Sequence, residues 1–199
     1  MKGWIWKSVT LLIALCVIGT NAAMSQNEQI IYDKVDRVNS TRTITTKSHL
    51  VIDKLPVIGL AVSVIAPIME GDMTTFLYVR ILNDSPLQIL DGGTTLIKLS
   101  DGEVIELENI VGAQNDTIDF NGTIAHTTVM MAEITPEQIK AISENGITKI
   151  RAELEGVYQG KGYVDKEYPT PQFKSTLQRQ YDLIMATLAT SSGDIHEGF

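Results

Sequence analysis

"TTLIKLSDGEVIELE", Thr94 to Glu108, decides the fold because its register can be tested from the pattern alone. With Asp101-Gly102 as a two-residue turn, Lys98 faces Ile105 and Ile97 faces Glu106, so polar and apolar side chains mix on both sides of the hairpin. With Ser100 and Asp101 in a type I turn and Gly102 as a left-handed bulge residue, Ile97, Leu99, Ile105 and Leu107 share one face. Lys98, Glu106 and Glu108 then share the other. The second register separates a dry side from a wet one, as an antiparallel sheet with one solvated face requires.

On the N-terminal side, "TTFLYVRIL" (residues 74–82) is apolar at successive positions, which fits a central strand covered on both faces. "LPVIGLAVSVIAPIM" (residues 55–69) is the most apolar stretch outside the N-terminal leader. It holds Pro56, Gly59 and Pro67 and is too short to cross a bilayer as a helix, so it reads as a buried strand ending near Ala66. A turn is expected at residues 70–72, and "NDSP" (residues 83–86) ends the strand after it. "TRTITT" (residues 41–46) has the β-branched composition of a strand. Residues 26–37 fit a lead-in strand and a frayed helix equally well.

Toward the C-terminus, "QNDTIDFNGTIAHTTVMMAEI" (residues 114–134) reads as loop, strand, tight turn at Asn121-Gly122, and strand. "ITPEQIKAISENGITKIRAELE" (residues 134–155) carries a complete set of helix-end signals. Thr135 caps, Pro136 takes the first helical position, Gln138 closes a capping box, and Gly146 ends the helix after Asn145. The next strand places Ile150, Ala152 and Leu154 on one face and Lys149, Arg151 and Glu153 on the other. "YPTPQFKSTLQRQYDLIMATLATSSG" (residues 168–193) suggests a second helix over residues 171–189, capped by Thr170 with Pro171 first. Phe173, Leu177, Tyr181, Ile184, Met185 and Leu188 recur at helical spacing, giving an apolar face that either packs on the sheet or docks a partner.

The expected fold is therefore mainly β, an antiparallel β-sandwich of the immunoglobulin-like class, with one short helix and a C-terminal amphipathic helix. "TRTITT", "LIKLSDGEVIEL" and "ITPEQIKAISENGITKIRAEL" follow one another in an order that resembles small exported bacterial β-sandwich proteins of unassigned function. The resemblance spans roughly two thirds of the mature chain and implies a sandwich; it carries no functional residue.

Residues 1–25 have the order of a secretory signal peptide: Lys2 and Lys7, an apolar run, then small residues around Ala22 and Ala23. Leu15 precedes the single cysteine, Cys16, where a lipid-attachment motif wants a small residue, so cleavage near Ser25 is expected and no lipid anchor. The mature domain, residues 26–199, then forms one unit in the periplasm or outside the cell. It has 14 basic residues against 24 acidic ones and no tryptophan or cysteine. Such a charge excludes nucleic acid and anionic lipid as favoured partners, because both need clustered Lys and Arg.

Chemical signatures are sparse. His49, His126 and His196 lack the spacing of a zinc site, and no metal or cofactor is expected. No Gly-x-Ser-x-Gly elbow occurs, and "GKG" at residues 160–162 lacks P-loop spacing and reads as a hairpin turn. Residues 115–122 are rich in oxygen ligands but place Thr117 where an EF-hand needs its first Asp. Within "NDT", Thr117 resembles the Asp-Thr-aliphatic acceptor of bacterial O-glycans, so it is a modification candidate. Asn39, Asn115 and Asn121 match the N-glycosylation pattern used on eukaryotic secretory routes.

"GVYQGKGYVDKEY" (residues 156–168) holds Tyr158, Tyr163 and Tyr168, the one aromatic-rich segment, and makes these the candidate ligand-binding residues. The expected function is a non-catalytic binding or envelope-interaction module with a protein or carbohydrate partner. A carboxylate-based glycan hydrolase using Glu106 and Glu108 is the alternative.

Overall fold

A computed structural model describes residues 28–51, 57–67, 73–89, 92–112, 116–120, 122–156 and 160–191. The leader with Cys16, the expected turn at 70–72, Asn115, Asn121, Tyr158 and His196 lie outside these residues.

Twelve antiparallel strands and two helices make up the described chain. The strands are β1 (Ile30–Asp36), β2 (Thr41–Thr46), β3 (His49–Val51), β4 (Val57–Pro67), β5 (Thr74–Asn83), β6 (Leu87–Ile89), β7 (Thr94–Leu99), β8 (Val104–Gly112), β9 (Asp116–Phe120), β10 (Thr123–Glu133), β11 (Ile147–Gly156) and β12 (Gly160–Gln172). Helix α1 (Pro136–Asn145) joins β10 to β11, and α2 (Thr176–Ser191) follows β12. Hydrogen bonding runs β1-β2-β4-β5-β10-β8-β7-β11-β12, with β3 on β4, β6 on β11 and β9 on β10. The strip does not close. Among the described residues no helix is long and apolar enough to cross a membrane.

The hairpin β7–β8 adopts the bulged register: Ile97 faces Ile105, Leu99 N–H donates to the Glu103 carbonyl, and Gly102 has φ +94°. Ile97, Leu99, Ile105 and Leu107 are buried, while Lys98, Glu106 and Glu108 are exposed. Strand β8 changes partners along its length, pairing with β7 from Val104 to Glu108 and with β10 from Asn109 onward. The strip turns there, so that Thr95 Oγ1 on β7 lies 2.8 Å from Met130 Sδ on β10 and donates to Asn109 Oδ1 at 2.9 Å. One core follows: Ile44, Ile58, Leu77, Val79, Ile81 and Met130 from one end of the strip join Ile97, Leu107, Ile150 and Ala152 from the other.

Helix α1 forms as its end signals require. Thr135 Oγ1 accepts from Gln138 N–H, Gln138 Oε1 accepts from Thr135 N–H, and Gly146 N–H closes onto Ile142 O at 2.6 Å. Its Ile139 and Ile142 are buried in the common core.

The second helix starts later than its sequence suggests. Strand β12 runs through Thr170 and Pro171 to Gln172, which pairs with Ile147, and the chain then turns at Phe173 with φ +61° before α2 begins at Thr176. Cross-strand bonds to β11 outweigh the local capping signal, which is only a weak preference. Lys161 and its flanking glycines likewise lie in β12 rather than in a turn, since Gly156 pairs with Gly160. The apolar face of α2 is spoken for: Leu177 and Ile184 are fully buried and Tyr181 and Leu188 pack against the same core, leaving Met185 as the exposed apolar position. Docking a partner through that face would require unpacking the helix.

Candidate binding surface

The outer side of β11 and β12 is built by alternation. Register pairs Lys149 with Glu167, Arg151 with Asp165 and Glu153 with Tyr163, all on the face opposite Ile150 and Ala152. Arg151 grips Asp165 with two parallel bonds, Nε to Oδ1 at 2.7 Å and Nη2 to Oδ2 at 2.8 Å. Lys149 Nζ sits 3.0 Å from both Asp165 Oδ2 and Glu167 Oε1. At the end of this ladder the Arg151 guanidinium lies 5.3 Å from the centre of the Tyr163 ring. Glu153 accepts Thr94 N–H at 3.1 Å, tying β11 to the start of β7.

These contacts set the charge states. The Arg151 fork, helped by Lys149, holds the Asp165 carboxyl down at about 2, and the same bonds raise the pKa of both bases. An acid of that strength stays ionised at neutral pH, which unfits it as a proton donor. Glu106 and Glu108 stand exposed on β8 of the same solvent side.

The candidate tyrosines separate. Tyr163 is 66% exposed, whereas Tyr168 is 6% exposed on the opposite face of the strand, edge-on to Phe173 at 5.9 Å, which is itself edge-on to His49 at 5.3 Å. The register of β12 shifts after Glu167, and it is burial that separates the two rings. Burial pushes the Tyr168 phenol's pKa well above its usual value, and its hydroxyl finds no partner among the described residues. Tyr158 lies outside them. Thr117 is exposed on β9 opposite His126. Among the described residues no three His, Cys, Asp or Glu side chains gather as a metal site.

The ladder itself escaped the sequence reading, although part of its signal was present: Lys149 and Arg151 share one parity in "KIRAE", Asp165 and Glu167 share one parity in "YVDKE", and the observed register sets the two pairs against each other, with Lys166 opposite Ile150. Arg80 and Thr127, on the other half of the strip, gave no such signal. Compared with known proteins, the chain matches no family model, no curated protein and no solved structure.

Proposed function

We propose that the chain is an exported, non-catalytic binding module with an immunoglobulin-like β-sandwich fold, acting in the periplasm or outside the cell on a protein or carbohydrate partner. The carrying observation is Tyr163, an exposed ring held beside a guanidinium that two bonds to Asp165 fix in place. A ring backed in this way keeps one face available with little orientational freedom left to lose on binding. Neutral sugars and apolar side chains both suit such a platform, and the acidic chain disfavours polyanions.

Two features support the rest of this reading. The sandwich is favoured by the partner change along β8 and by the single core that both ends of the strip share. Export is favoured by the leader, whose basic residues, apolar run and small residues end at the expected cut near Ser25. The exposed Thr117 is accessible to a glycosyl carrier in that compartment.

The test is a titration of the exported protein with a panel of neutral oligosaccharides, read by backbone NMR shifts over residues 149–167. Tyr163→Ala should abolish any saturable response, while Glu106→Gln with Glu108→Gln should leave it intact. The opposite pattern, with glycan cleavage lost in the double glutamine variant, would establish the hydrolase alternative instead.

A further inference from the structure

The other half of the strip carries a cation of a different kind. Arg42, Arg151 and Arg179 each meet a carboxylate, from Asp33, Asp165 and Glu28 respectively, at 2.6 or 2.7 Å. Arg80 on β5 meets none. Its guanidinium has no ion pair or hydrogen bond among the described residues, and its Nε is buried. One step away on β10, Thr127 is 2% exposed and its Oγ1 is also buried without a partner.

Register places the two on one face. Arg80 is opposite Val129 and Thr127 is opposite Leu82, so they are diagonal neighbours on adjacent strands, roughly 7–8 Å apart at the backbone and within reach of a long side chain. Both point away from Val79 and Met130, whose side chains fill the common core. On β4 the residue opposite Arg80 is Gly59, and the Leu50 side chain of β3 sits where a Cβ there would be, forming an apolar flank. Tyr78, two residues earlier on the same face of β5, and then Asp116, the pair of Thr127 on β9, favour the Arg80 charge, and Asp116 makes no ion pair with it. Burial alone works against that charge, yet an arginine does not shed its proton.

Two buried donors left open on one face are costly: Arg37, also without a carboxylate among the described residues, is exposed to water in the turn after β1, whereas the Arg80 Nε is buried. We infer that Arg80 and Thr127 form an anion site on the outer face of β5 and β10, and that the ligand presents a carboxylate. Nε–H and one Nη–H of a guanidinium lie along a single edge that matches two carboxylate oxygens, and the Thr127 hydroxyl supplies a third donor. The nearby Asp116 disfavours a doubly charged phosphate more than a singly charged carboxylate. The site lies on a different surface from Tyr163, so it stands whether or not that platform binds a partner.

The experiment follows the Arg80 Nε–Hε resonance of the isotope-labelled exported protein while sodium acetate, D-glucuronate or inorganic phosphate is added, with sodium chloride matching ionic strength. Acetate should move this resonance and saturate where chloride does not. A glucuronate response much stronger than acetate's assigns the carboxylate to an acidic sugar; equal responses assign it to carboxylates generally. Arg80→Lys, which keeps the charge and loses the edge and is followed through the backbone amides of residues 79–81 and 126–128 because it has no Nε–H, should weaken binding by about tenfold or more. Thr127→Val keeps the shape and tests the site even if the lysine variant folds poorly; it should also weaken binding, and Asp116→Asn should tighten it. The proposal fails if no probe saturates, if Thr127→Val binds as well as the unaltered protein, or if phosphate outcompetes acetate. It fails equally if Asp116→Asn unfolds the protein, because Arg80 would then be the long-range structural partner of Asp116.

Discussion

Arg151 and Arg80 sit on two stretches of one continuous strip and meet opposite fates. On β11 the outer face is wet, every second residue is polar, and Arg151 closes onto Asp165 across the strand pair. On β5 both faces are dry: Phe76, Leu77, Tyr78 and Val79 are buried in succession, and Arg80 interrupts that run without a carboxylate to meet it. A charge on a solvated strand face costs little and gains little, so its pairing is a matter of surface order. A charge inside a strand dry on both faces is expensive, so its retention points to a use.

The sharpest way to break this contrast is a pair of adjacent substitutions on β10. Met130 points into the common core and Met131, 3% exposed, points to the outer face beside Tyr78. If both faces of this half of the strip are packed, Met130→Ala and Met131→Ala should each cost about 2–5 kcal/mol in urea denaturation. A cost near zero for Met131→Ala alone would mean that the outer face of β5 and β10 is not part of the core, and the difference between the two arginines would shrink to one of degree.

The same contrast explains what could be read from the residues. Where one face is wet, alternation carries both register and orientation, and the β7–β8 hairpin and the Lys149-Arg151-Glu153 face were legible in full. Helix α1 was legible because its ends are specified by local bonds among Thr135, Gln138 and Gly146. Thr170 and Pro171 carry similar local signals and were misleading, since the pairing of Gln172 with Ile147 is a contact made 25 residues away in sequence. For β5 and β10 alternation is absent, so nothing in the pattern tells which side of the sheet Arg80 occupies. Tyr163 and Tyr168 looked like neighbours for a related reason: a cluster in composition says nothing of parity until the strand is known to continue through both.

Parity on β12 offers the next test. Tyr168 is dry with an unpaired hydroxyl and Tyr163 is wet. Removing a buried hydroxyl that bonds to nothing relieves its desolvation, so Tyr168→Phe should raise stability by about 1 kcal/mol, whereas Tyr163→Phe should leave it unchanged. Destabilisation by Tyr168→Phe would show that the hydroxyl is bonded in solution and that this end of β12 is wetter than its packing against Phe173 implies.

The smallest effect lies on the ladder, where pH separates it from everything else. Asp165 is held at about 2, below the 3.8 of an unperturbed aspartate, because its ionised form is the one Arg151 and Lys149 grip. Between those two values the unfolded chain binds the proton and the folded chain does not, so folding loses this contribution as pH falls from about 4 to about 2 and keeps it in full above. The side chain is more than a third exposed, so screening limits its worth to less than about 1 kcal/mol. Asp165→Asn should therefore be slightly less stable than the unaltered protein at neutral pH, with the gap constant down to about pH 5 and closing below. Comparing the two proteins at each pH cancels the other carboxylates held low by their own partners, Glu28 by Arg179 and Asp36 by Asn39. Added salt should narrow the neutral-pH gap, since the ladder faces water. A gap that widened in acid, or one of several kcal/mol untouched by salt, would place Asp165 in a desolvated setting and make the two arginines alike.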